Sequence, residues 1–304
     1  MSNPTADAPA ALPESNGFDV SDSGSVAWHS LKPRFTFAFI ESTQGATLHN
    51  STFAPAWHGS AGAGIVRGAY HFFFASTSTP QAQTQNLTTF VQQNGGFQPG
   101  DLPPVLDIEE ASIQKLPAAT VVARFQALCD LVKAAVTAST HNPRFVPIIY
   151  TNSDTWVSIL GDPDLSSHPL WIANFSSTAK QPAVPPSWGD GNYLFWQFTD
   201  TTTGIVPGGD GADLDRFHVL ADGANNSEVR RVQQWLHDTS VTRGDTALDP
   251  KGVDGAFGPN TAAAVRRLQT IDVNAAGAPA NPNLGPLPAT GVVDVVTWAK
   301  LLWA

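Results

Sequence analysis

One cysteine in 304 residues, Cys129, excludes a disulfide within the chain. Val121, Phe125, Leu128, Cys129 and Val132 recur at helical spacing, so this thiol is expected to be a buried, inert core group rather than a nucleophile. Positive charge is scarce, with 16 Lys and Arg against 26 Asp and Glu and a net charge of -10. That balance lacks the basic footprint that nucleic acid or anionic lipid requires, so neither is expected as a partner. No apolar run approaches the roughly 18 residues of a membrane span. Residues 1–15 hold no Lys or Arg and no sustained apolar stretch, and they read as a flexible Ala/Pro-rich tail, not a secretory signal. A soluble chain made in the cytoplasm is expected, one that needs another agent to release it if it acts outside. The eight His residues are scattered without a His-Glu-x-x-His pattern, and neither a Gly-x-Ser-x-Gly elbow nor a phosphate-cradling glycine loop is present. Zinc, acyl-enzyme and nucleotide chemistries are therefore disfavoured, and no metal or cofactor is expected.

Hydrophobic residues make up 42% of the chain and charged residues 14%, enough to fill a sizeable core. The length suits one large domain with a small one, or two medium ones. Short β-rich runs recur at Gly17-Phe18-Asp19-Val20, residues 35–40, residues 68–74, residues 105–109, Pro147-Ile148-Ile149-Tyr150, Leu170-Trp171-Ile172-Ala173, residues 193–198 and Ala212-Asp213-Leu214. Helical patterns separate several of them, clearest over residues 80–93 and 118–137 and thin after Tyr150. Eight strand candidates with intervening helices predict an α/β fold, an irregular TIM-like (β/α) barrel whose later strands are joined by loops.

Asp107-Ile108-Glu109 ends the apolar run Pro103-Pro104-Val105-Leu106. Residues two apart on a strand share a face, with Cα atoms roughly 6.6 Å apart at about 3.3 Å rise per residue. Two carboxylates that close resist joint ionisation, so one can stay a proton donor near neutrality while the other is anionic, the pairing that glycosidic cleavage uses. Asp19, Asp107, Glu109 and Asp213 all fit the C-terminal ends of strand candidates, where such barrels carry chemistry. The first and last strands of a closed barrel are neighbours, so Asp19 and Asp213 are expected to meet across the seam and complete one acidic mouth. Tyr70, Tyr150, Trp171 and Trp196 lie on strand ends and are candidates to stack on sugar rings, with Gln197 adding an amide.

The stretch from Ala221 to Ser227 is small and polar, the composition of a linker, which is expected over residues 222–228. Beyond them Val229, Val232 and Leu236 are helically spaced, with Ser227 as a candidate N-cap. An internal repeat follows at an offset of 36 residues, in which Gly255, Phe257, Thr261 and Val265 correspond to Gly291, Val293, Thr297 and Leu301. Each copy is a Gly-led turn before a Thr that starts a striped helix, with a loop rich in Ala, Pro, Asn and Gly over residues 274–289. Residues 16–221 are thus expected to form the barrel and 229–304 a small all-α three-helix domain.

Six segments in order carry a resemblance to the Chalaropsis-type lysozymes, glycoside hydrolase family 25. They are Gly17-Phe18-Asp19-Val20-Ser21, Gly68-Ala69-Tyr70-His71-Phe72, Asp107-Ile108-Glu109, Leu170-Trp171-Ile172-Ala173, Trp196-Gln197-Phe198 and Asp213-Leu214-Asp215-Arg216-Phe217. The resemblance implies a muramidase that cuts the β-1,4 bond between N-acetylmuramic acid and N-acetylglucosamine in bacterial peptidoglycan. It implies Glu109 as proton donor, Asp107 as its ionised partner, and Asp19 and Asp213 completing the mouth. Both a route assisted by the substrate's N-acetyl oxygen and an inverting route through water stay open. Where the family commonly reads Lys-Ala-Thr-Glu-Gly, this chain has Glu41-Ser42-Thr43-Gln44-Gly45, which replaces a cation by an acid and an acid by an amide.

Residues 229–236, Asp254-Gly255-Ala256-Phe257-Gly258-Pro259-Asn260-Thr261 and Gly291-Val292-Val293-Asp294 resemble the peptidoglycan-binding type 1 fold, a cell-wall module. The combination suits an endolysin, a flexible two-domain monomer acting at the bacterial wall after release. The rivals are a chitinase-like barrel acting on N-acetylglucosamine polymers and a wall-binding protein without activity.

Overall fold

The structure, a computed structural model, describes residues 16–21, 26–113, 116–175, 180–200, 204–209, 211–274 and 280–304. The expected tail over 1–15 lies outside the described residues. All eight expected strands form, as β1 (Asn16–Val20), β2 (Phe37–Gln44), β4 (Val66–Phe72), β5 (Val105–Asp107), β6 (Ile148–Asn152), β7 (Leu170–Ala173), β8 (Phe195–Thr199) and β9 (Asp213–Phe217). A short β3 (Leu48–His49) adds a hairpin strand to β2. The order β1-β9-β8-β7-β6-β5-β4-β2, with β2 pairing back onto β1, closes the sheet into a barrel. Every pairing from β1 through β2, β4, β5, β6 and β7 to β8 is parallel, whereas β9 runs antiparallel to both of its neighbours.

Helices α1 (Phe53–Gly62), α2 (Pro80–Gln93), α3 (Glu110–Ile113) and α4 (Ala118–Thr140) cover the first half of the barrel. Beyond Tyr150 a π-helical segment, Asp154–Ile159, is the one helix before β9 among the described residues, in line with the thin helical pattern there. Thr79 caps α2, its hydroxyl accepting the Ala82 N–H at 3.2 Å, and Pro80 fits the first turn because it has no N–H to leave unpaired. Cys129 is buried in α4 and burial pushes its thiol up, as expected for an inert core group.

The barrel interior is aromatic at depth. Phe39 stacks on Trp171 at 4.3 Å between ring centroids, and Phe195 meets Phe37, Phe39 and Phe217 at 5.1, 4.9 and 5.3 Å. Two glycines on inward positions make room for these rings. A Cβ at Gly17 or Gly68 would lie 2.4 Å from the Phe37 ring or 2.6 Å from the Phe39 ring. The polar side chains therefore collect above this aromatic plug, at one end of the barrel.

The remaining helices, α5 (Ser227–Arg243), α6 (Pro259–Thr270) and α7 (Val295–Trp303), form the expected all-helical unit. The N-cap of α5 is Asn226, which accepts the Val229 N–H at 2.9 Å; Ser227, the expected cap, is the first helical residue. The repeat is a repeated clamp. Gln233 accepts the Gly255 N–H and donates to Ala256 O and Thr261 Oγ1, while Gln269, 36 residues on, accepts the Gly291 N–H and donates to Val292 O and Thr297 Oγ1. Gly255 and Gly291 have φ of 84° and 75°, the left-handed region that a side chain disfavours.

This unit is not loosely tethered. The segment expected as a linker is bonded to it through Gly223 N to Phe257 O, Phe257 N to Ala224 O and Asn226 N to Gly255 O, and Leu220 and Val293 exchange two backbone bonds. The unit rests on the loops that precede the parallel strands, the end of the barrel opposite the polar one. Arg144, just before β6, donates to Leu301 O (2.7 Å), Trp235 O (3.1 Å) and Thr239 Oγ1 (3.0 Å). The Trp303 indole donates to Asp101 O at 2.9 Å, and its ring meets Phe145 edge-on at 5.1 Å. Buried residues of barrel and helices form one continuous hydrophobic cluster.

Candidate active site

The expected acidic mouth is present, reached in one case by a different route. Asp19 near the end of β1 lies directly across from Asp213 in the β1–β9 ladder. Asp213 is the first residue of β9, not a C-terminal strand end as expected, because the antiparallel course of β9 brings its beginning to the mouth. Asp107 ends β5 and Glu109 follows two residues later. Asp19, Asp107, Glu109 and Asp213 line one hollow of about 240 Å³ with Ser21, Glu41, Gln44, Tyr70, Phe72, Tyr150, Trp171 and Gln197. Glu109 and Tyr150 also line an adjoining cleft of about 1340 Å³ that runs between the segments after β5, β6 and β7, with Asn152, Ile159, Asn174 and Phe175 along its walls. Glu109 thus stands where the hollow opens into the cleft.

Of the expected sugar contacts, Tyr70, Tyr150, Trp171 and Gln197 face the hollow. Trp196 does not line it. Side chains alternate along a strand, and with Gln197 pointing in, Trp196 points out, its indole donating to Asn174 O at 2.8 Å and Arg216 lying 5.7 Å from its ring. Gln197 ties the site together: its amide donates to Asp19 Oδ2 (2.7 Å) and Asp213 Oδ2 (3.4 Å), and its oxygen accepts from the Tyr150 hydroxyl (2.8 Å). Glu41 and Gln44, where the chain departs from the family pattern, bond to each other at 2.7 Å and add a further carboxylate to the hollow. Among the described residues no cationic side chain lines the hollow.

Burial dominates the electrostatics. It raises Asp107 well above the ordinary carboxylate range, with the charges of Glu109, Asp19 and Glu41 adding to the effect. Glu109 is raised by partial burial and held back by a hydrogen bond with Tyr150. Both carboxyl groups are thus raised, the deeper Asp107 mainly by its burial and next by the charge of Glu109. Burial and the neighbouring Asp213 raise Asp19 to about 8, and burial with Asp200 and Glu109 raises Asp213 to about 6. Asp215, one turn of the pleat below Asp213 and fully buried, is also raised well above its ordinary range by burial and then by Asp19. Asp215 and Glu41 were not among the expected site residues. The two-apart rule that paired Asp107 with Glu109 would have paired Asp213 with Asp215.

A pH dependence of stability follows. Asp19 binds its proton more tightly folded, at about 8, than at the unfolded 3.8, so the folded chain carries the extra proton and stability falls as pH rises through that window. Buried His71, pushed from 6.5 down to about 4, acts in the opposite sense, and its contribution is complete once pH reaches 6.5. The denaturant midpoint is therefore expected to drop between pH 6.5 and pH 8, with Asp19→Asn flattening the drop. A midpoint that rises over this interval contradicts a protonated hollow.

Among the described residues no group of three or more His, Cys, Asp or Glu is arranged to hold a metal ion, and no helix is long and apolar enough to cross a membrane. Comparison with known proteins gives a consistent picture. Residues 18–208 match the model of glycosyl hydrolases family 25. Lysozyme M1 of Streptomyces globisporus is 31% identical over 217 residues, 68% of this chain and 68% of that protein. The N,O-diacetylmuramidase of Arthroderma benhamiae is 31% identical over 173 residues, 54% of this chain and 67% of that protein. The solved bacterial lysozyme from Streptomyces coelicolor superposes with a TM-score of 0.59 at 28% identity, covering 68% of this chain and 93% of that one.

Proposed function

The chain belongs to glycosyl hydrolases family 25, and from that premise we propose that it cuts the β-1,4 bond between N-acetylmuramic acid and N-acetylglucosamine with Glu109 and Asp107 as the working pair. It is a glycoside hydrolase, a muramidase whose substrate is peptidoglycan. The observation that carries the residue roles is the position of Glu109 between the closed acidic hollow and the open cleft. The sugar that develops positive charge belongs in the hollow, where carboxylates surround it, and the departing sugar belongs in the cleft. Glu109 stands between them, where the leaving oxygen needs its proton. Positive charge growing beside Asp107 favours its anion, which moves the shared proton toward Glu109 when it is needed. Asp19 and Asp213, oriented by Gln197, complete the acidic mouth, and Tyr70, Tyr150 and Trp171 shape the hollow around the ring.

The helical unit, residues 229–304, is proposed to hold the enzyme on the wall. Its α5 residues Trp235 and Thr239 face the barrel, whereas Gln234 and His237, on the opposite side of the helix, line an outward groove of about 510 Å³ with Asp249 and Lys251. Residues 16–221 would carry the chemistry. This layout suits an endolysin that waits inside a cell and acts at the wall once released.

Purified peptidoglycan and chitin, incubated in parallel with the enzyme, test the bond assignment. Disaccharide-peptide fragments with a reducing N-acetylmuramic acid end, identified by mass spectrometry from peptidoglycan alone, are the expected result. Fragments from chitin, or reducing N-acetylglucosamine ends from the wall, would reassign the enzyme.

A further inference from the structure

Asp215 lies on the barrel interior with no exposed surface, opposite Gly17 in the β9–β1 ladder and diagonal to Asp19. Diagonal neighbours on a sheet are within reach of each other. One Asp215 oxygen, Oδ1, accepts the Trp171 indole N–H at 2.8 Å. The other, Oδ2, has no N–H or hydroxyl donor although it is sealed from solvent. The other side chain that the Asp215 carboxyl group meets at hydrogen-bonding range is that of Asp19. Two carboxylate anions cannot make such a bond, because neither has a hydrogen to give. One of the two is therefore an acid.

We propose that Asp215 is this acid, a neutral positioning residue that keeps its proton when Asp19 ionises, donates it to Asp19 and fixes that group's direction at the substrate hollow. The choice between the two follows from their other partners. Asp19 borders the hollow and also receives the Gln197 amide, and each donor favours its anion. Asp215 is fully buried and holds one ordinary donor. The titratable groups gathered around the pair from the other strands, Asp213, Asp107, Glu109, Glu41, Tyr70 and Tyr150, are all acidic, so nothing there would stabilise an anion at Asp215. A neutral donor orients Asp19 without adding another negative charge beneath the substrate. The functional half of this inference rests on the muramidase reading; the protonation state does not.

Two measurements on the full chain test it. In the difference infrared spectrum of wild type minus Asp215→Asn at pH 7, a band of a protonated carboxylic acid is expected, and a carboxylate band in its place would overturn the proposal. In kinetics on soluble peptidoglycan fragments, Asp215→Asn, whose amide can donate to Asp19 while its oxygen still accepts from Trp171, is expected to rescue most of the rate. Asp215→Leu, which packs but cannot donate, is expected to lose about 10- to 100-fold in kcat with an altered pH profile and little change in KM, the rate equivalent of one hydrogen bond to a charged group. Asn as damaging as Leu, or a folded Leu variant with wild-type kcat and pH profile, would overturn the positioning role. If the wild type cleaves no peptidoglycan, the muramidase reading fails, and the infrared band still decides the proton.

Discussion

Replacing Glu109 by glutamine is expected to lower release of reducing ends from peptidoglycan by about 10²- to 10⁴-fold, the usual contribution of a positioned acid. The substitution keeps the shape and a hydrogen-bonding group for Tyr150 while removing the transferable proton. Glu109 is partly buried at the edge of the cleft, and Gln197 holds Tyr150 independently at 2.8 Å, so the fold should be unmoved. Circular dichroism and sedimentation with cell walls would report unchanged folding and binding beside lost turbidity clearance. The deeper burial of Asp107 sharpens the test. Were Asp107 the group that delivers the proton to the leaving oxygen, Glu109→Gln would retain lysis and Asp107→Asn would lose it. Finding that pattern would exchange the two roles and leave the site where it is.

The largest expected effect on stability lies at the other end of the barrel. Arg67 and Asp101 form a two-pronged ion pair, Nε to Oδ1 at 2.7 Å and Nη2 to Oδ2 at 3.1 Å, with both side chains buried. The guanidinium lies 3.8 Å from the Trp57 ring centroid and also bonds the Trp57 carbonyl. Asp101 takes the Gln98 N–H as well, and its own carbonyl receives the Trp303 indole. Removing one member of such a pair leaves an uncompensated charge in the interior. Arg67→Met is therefore expected to cost about 3–5 kcal/mol in denaturant unfolding, whereas the double replacement Arg67→Met/Asp101→Leu should recover most of that loss. A single variant as stable as wild type would show that water reaches Asp101.

Which parts of this molecule could be read from its sequence follows from how each part is held. The barrel strands were legible because parallel strands buried on both faces read as continuous apolar runs, as in Val105-Leu106 and Ile148-Ile149. β3, with both residues exposed, leaves no such trace, and α1 hides its helix behind Pro55, Gly59 and Gly62. The acidic residues were legible as strand-end pairs. The direction of β9 was not, since nothing in Asp213-Leu214-Asp215 distinguishes entering the mouth from leaving it. Trp196 illustrates the cost of choosing by residue type instead of by face. In the helical unit the repeat revealed its turns, but its firm seat depends on Asn142, Arg144 and Phe145, which belong to a loop of the other domain and carry no local sign of their partner.

That seat has a mechanical meaning. The helices sit under the closed base of the barrel, and the cleft opens at the top, so the enzyme is a stiff post with a foot and a blade at opposite ends. Were the foot to hold the wall, as proposed above, the blade could not bend back onto the chain held there. It would reach a neighbouring one, so each footing would sever the mesh at a fixed stand-off and leave the held strand whole until the molecule lets go.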